Sequence, residues 1–83
     1  MSAALYGALG ETLTLERLDD HQIVVLASEP SPPGSMVQIR CEAGSFAIKV
    51  SSCRRTSDEG FRIQGRPVNL SRRVREALTV LLA

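Results

Sequence analysis

Between Pro32 and Arg66 the chain carries three strand patterns separated by tight turns: Met36–Cys41, Phe46–Cys53 and Gly60–Gly65. Val37, Ile39 and Cys41 alternate with Gln38 and Arg40, the period-two pattern of a half-buried strand. Phe46, Ile48 and Val50 alternate with Ala47 and Lys49, and Phe61 and Ile63 alternate with Arg62, Gln64 and Arg66. Glu42-Ala43-Gly44 reads as a hairpin turn, and polar Arg54–Gly60, ending Asp-Glu-Gly, as a second turn. Pro67 lacks an amide donor, so it ends the last strand or confines it to a sheet edge. An arginine-rich amphipathic helix follows at once. A strand meander closed by one helix predicts an all-β fold: a small antiparallel barrel of five or six strands, capped by one α-helix.

The flanking residues fit this plan. Thr12–Leu18 alternates weakly and is expected to be a strand, Asp19-Asp20-His21 a turn, and Ile23–Ala27 a strand buried on both faces. Three prolines make Glu29–Gly34 a loop. The helix is expected over about residues 70–83, capped from Asn69–Ser71. Its apolar stripe is Val74, Ala77, Leu78, Leu81 and Leu82, which would pack across the barrel's open end or one of its faces. Leu70 and Val80 widen that surface. Eighty-three residues allow one domain, placed at 13–83, with 1–12 as a loose arm or irregular edge segment.

Composition excludes several classes. No apolar stretch approaches the ~20 residues of a membrane span. Met1–Gly10 lacks the basic start and long apolar block of a signal peptide, which implies a cytoplasmic protein with Cys41 and Cys53 as thiols. The cysteines match no zinc spacing, and His21 lies far from both in sequence. The net charge of +1 argues against a general nucleic-acid binder. Its distribution is uneven. Residues 1–50 hold three basic and six acidic side chains, net −3, whereas residues 51–83 hold seven basic and three acidic, net +4.

No catalytic set emerges. His21 sits in an acidic turn without a nucleophile, no serine lies in a nucleophile elbow, and there is no glycine-rich phosphate loop. Neither a metal nor any other cofactor is implied. The arginines carry the better signal. Arg72, Arg73 and Arg75 occupy the helix start, where positive charge opposes the helix dipole at a cost of up to about 1 kcal/mol each. Arg62 and Arg66 project to one face of the last strand. Either these residues are plainly solvated or they meet an anion. Together the five form the candidate partner-binding set.

Pro33-Gly34 ahead of a strand, Val50-Ser-Ser-Cys53, a polar turn, Gly60-Phe-Arg-Ile-Gln-Gly65 and a final helix together resemble the PilZ domain of bacteria, over residues 13–83. The resemblance implies a barrel and, as ligand, cyclic di-GMP. The family grips that ligand with an Arg-x-x-x-Arg motif before the first barrel strand and an Asp/Asn-x-Ser-x-x-Gly motif on the following strands. Paired arginines suit phosphates and stack on guanine. Neither motif stands in its place here. Arg17 is the first arginine of the chain, and the second motif would fall on Arg17, Asp19 and Gln22. Arg62 and Arg66 share the x-x-x spacing but lie in the last strand. The expectation is therefore a degenerate PilZ-like, non-enzymatic interaction module with a protein partner. One alternative is a cyclic di-GMP receptor using an unconventional arginine set, within one chain or across a homodimer. Another is a small nucleic-acid-binding barrel. The last suffers from having only Tyr6, Phe46 and Phe61 as aromatics, with both phenylalanines expected in the core.

Overall fold

The structure, a computed structural model, describes residues 5–7, 10–56 and 60–82, the last two by backbone alone. Six strands and one helix follow in order: β1 (Leu5–Gly7), β2 (Thr12–Leu18), β3 (Ile23–Ala27), β4 (Met36–Cys41), β5 (Gly44–Arg55), β6 (Phe61–Val68) and α1 (Arg72–Leu82). All neighbouring strands are antiparallel, and the sheet closes as β1-β2-β3-β6-β5-β4. The expected barrel with a single helix is what the chain forms, with six strands.

Among the described residues the interior is apolar. Leu5, Ile23, Val25, Ile39, Ile48, Ile63 and Leu78 are each under 2% exposed, and no polar or charged residue is buried among those described. The helix closes the end that carries the β2–β3 and β4–β5 turns, packing on β2 and β5. Ser71 caps it, its Oγ accepting from the Val74 amide at 3.2 Å. Val74 and Leu78, from the predicted stripe, are buried, whereas Val80 is exposed. Of the strand Ile23–Ala27, expected to be buried on both faces, Ile23–Val25 is so buried, whereas Leu26 and Ala27 are half-buried towards the rim.

Two β-bulges adjust the alternation. In β2, Leu15 faces Val25 and Arg17 faces Val24, so Glu16 is the extra residue. In β5, Val50 faces Gly65 and Ser52 faces Gln64, so Ser51 is the extra residue. A one-residue shift turns the following side chains to the other face. Leu18 and Cys53 thereby rejoin Leu15 and Val50 against the core, three residues on instead of two.

Four expectations need correction. The supposed loose arm contains β1, which closes the barrel by pairing with both β2 and β4, because Leu5 is an apolar core residue. The turn expected from Arg54 begins later. Arg54 and Arg55 extend β5 opposite Arg62 and Phe61, since a strand at a barrel rim can carry charge outward. The expected Asp58-Glu59 tip lies outside the described residues. Pro67 does not end β6, which runs to Val68. β3 pairs only as far as Gly65, so Pro67 has β5 on one flank and no ladder donor is missed on the other. Phe61 is half-buried at the barrel rim, beside Ala27 and Arg55, and is not a core residue.

Candidate functional site

With an apolar interior, any chemistry lies on the surface. Alternation along β6 sends Arg62, Gln64 and Arg66 outward. β5 sends Lys49, Ser52 and Arg54 to the same face, directly opposite Arg66, Gln64 and Arg62. These side chains differ in their partners. Arg62 Nε meets Glu16 Oε1 at 2.8 Å, Glu16 standing outward next to the inward Leu15. Gln64 Nε2 donates to Gln22 Oε1 at 2.9 Å. Arg66, Lys49 and Arg54 have no carboxylate partner among the described residues.

The helix arginines lie at the barrel end. Arg72 pairs with Glu76 one turn on, at 3.3 Å. Arg75 reaches the β2–β3 turn, donating to the Asp20 carboxylate at 3.5 Å and to the Asp19 carbonyl at 3.3 Å. Its charge, unfavourable at a helix start, is thus met by acceptors from another element. Arg73 is exposed and unpartnered among the described residues. The five candidate arginines therefore form two groups. Arg62 and Arg66 lie on the sheet face, Arg72, Arg73 and Arg75 on the helix, and the acidic turn Asp19-Asp20 receives Arg75 between them. Of the five, only Arg66 and Arg73 have no carboxylate partner among the described residues.

That turn is tightly built. Asp19 Oδ1 accepts the amides of His21 at 2.9 Å and Gln22 at 2.8 Å, and the Asp19 amide donates to the Gln22 carbonyl. These amides, first His21 and then Gln22, with Arg17 adding its charge, hold the Asp19 carboxyl below the usual carboxylate range. The turn is expected to contribute full stability above about pH 5, losing it as the pH falls through and below that range. Asp19→Asn should flatten the acid limb of a melting-temperature profile. An unchanged limb would remove Asp19 from the account.

A groove of about 460 Å³ opens on the sheet face beside this turn. His21 and Gln22 form one wall, Lys49, Val50 and Ser51 the other, with Gly65 and Arg66 between. Lys49 and Ser51 are not among the candidates that the sequence offers, and Gln22 enters there only as a departure from the family's motif. Only the β5–β6 register brings Lys49 opposite Arg66, and no local pattern encodes that register. A second cavity of about 520 Å³ lies near the opposite rim, lined by Glu16, Leu26, Arg55, Thr56, Gly60, Phe61 and Arg62. Its Glu16 and Arg62 already neutralise one another. Among the described residues no three His, Cys, Asp or Glu side chains gather to hold a metal, and no helix is long and apolar enough to cross a membrane.

No protein-family model matches the chain, and neither the curated proteins nor the solved structures hold a match.

Proposed function

We propose that the chain is a non-enzymatic interaction module, a PilZ-like barrel that meets an acidic protein partner through its outer surface and does not take cyclic di-GMP in the family's standard way. The observation that carries this reading is the outer face of β5 and β6. Lys49, Arg54 and Arg66 stand there, exposed on adjacent paired strands, with no carboxylate partner among the described residues. The positions where the family keeps its ligand motif support the second half of the reading. Arg17 lies 4.0 Å from Asp19, Asp19 is occupied by its own turn, and Gln22 is engaged by Gln64. A calorimetric titration with cyclic di-GMP should give no binding in the micromolar range. A clear micromolar isotherm would overturn the reading in favour of a nucleotide receptor.

A further inference from the structure

Lys49 and Arg66 are register partners, exposed on the same face of the β5–β6 ladder. Like charges directly opposite one another destabilise a sheet. The neighbouring like pair, Arg54 and Arg62, is relieved by Glu16 at 2.8 Å from Arg62. Arg17, Arg72 and Arg75 each have a carboxylate within 4.0 Å. Lys49 and Arg66 have none among the described residues, and no acidic side chain lines their groove.

Gln22 adds a neutral donor beside these two cations. Gln64 Nε2 donates to Gln22 Oε1, so the Gln22 carbonyl oxygen is engaged while its amino group remains a donor. Ser51, lifted out of register by the bulge, spends its hydroxyl proton on the Gln64 carbonyl at 3.1 Å. Ser51 is thereby left as an acceptor, so the donors that face an anion here are Lys49, Arg66 and the Gln22 amino group. The sheet closes on itself, which leaves little open edge for strand addition and favours recognition through side chains.

We infer that this groove seats a carboxylate side chain from an acidic segment of a partner protein, clamped between Lys49 and Arg66 with the Gln22 amide as a further donor. The inference rests on the reading of the barrel as an interaction module and names the chemistry of its partner.

The test is an NMR titration of the whole chain with a capped hexaglutamate peptide at low salt. Saturable shifts are expected at the amides of residues 49–51 and 64–66. Lys49→Gln and Arg66→Gln should each weaken binding about tenfold, the worth of one charge-assisted hydrogen bond. Arg73→Gln, on the helix, should change it less than about twofold. Both groove variants should also melt about 2 °C higher, because the opposed like charges are gone. A lower melting temperature in both would overturn the repulsion on which the site is argued. Shifts centred on the helix start, or an Arg66→Gln variant that binds like the parent, would overturn the groove while leaving an interaction module in place. Absence of saturable peptide binding would overturn the groove as well. Pyrophosphate binding there more tightly than the peptide would overturn the carboxylate assignment. The cyclic di-GMP titration separately decides the broader reading.

Discussion

Gly65→Ala should cost about 3 kcal/mol of folding stability and lower the melting temperature by roughly 15 °C. A methyl group built on Gly65 would run into the Lys49 carbonyl oxygen, with Ile48 Cγ2 at 2.6 Å and the Lys49 carbonyl carbon at 2.9 Å. Two of these three atoms are backbone of the adjacent strand, so they cannot rotate away. β6 would have to retreat from β5 where Val50 faces Gly65, beside the Ser51 bulge. Gly34→Ala is the contrast. Gly34 has a positive φ of 88° but nothing within 4 Å of an added carbon, so its cost is about 1 kcal/mol of left-handed backbone alone. Denaturant unfolding of both variants checks the pair. A Gly65→Ala loss below about 0.5 kcal/mol would mean that the two strands do not approach so closely.

Leu5→Ala should destabilise the protein by about 3 kcal/mol, within the range for emptying a buried leucine site. Leu5 is 1% exposed, in a strand of three residues, and it packs in the same cluster as Ile39, Ile48 and Leu78. Tyr6 is 43% exposed, so Tyr6→Ala should cost under about 1 kcal/mol. Equal costs for the two variants in urea unfolding would contradict β1 as a stave of the barrel.

Particular residues account for what could be read in advance. Met36–Cys41 alternates without interruption, and Val74 with Leu78 marks a helix stripe, so this hairpin strand and the capping helix were legible. Leu13, Leu15 and Leu18 look irregular in sequence because the bulge at Glu16 converts a spacing of two into three, and the pattern makes sense only once β3 is paired beside it. β1 is too short to show a period at all. Arg54 and Arg55 resemble turn residues because their pairing at the rim depends on β6 and not on their own preference. The site was half legible. Charge enrichment pointed to the arginines, including Arg66. Which of them would be neutralised by Glu16, Asp20 or Glu76 depended on contacts that, for Arg62 and Arg75, span 46 and 55 residues.

The hoop of strands is not equally strong around its circumference. Among the described residues, β1 has two register partners on each side, Leu5 and Tyr6 against β2 and Tyr6 and Gly7 against β4, whereas β5 and β6 share eight. Local opening costs least where the fewest ladder bonds and apolar contacts must be given up, so hydrogen exchange is expected to be fastest among the strand amides of this seam. When β1 lifts away, the bare flanks of β2 and β4 become templates for a strand from another copy. The same three residues that complete the fold within one chain thus set its exposure to strand exchange between chains, a risk that grows with protein concentration.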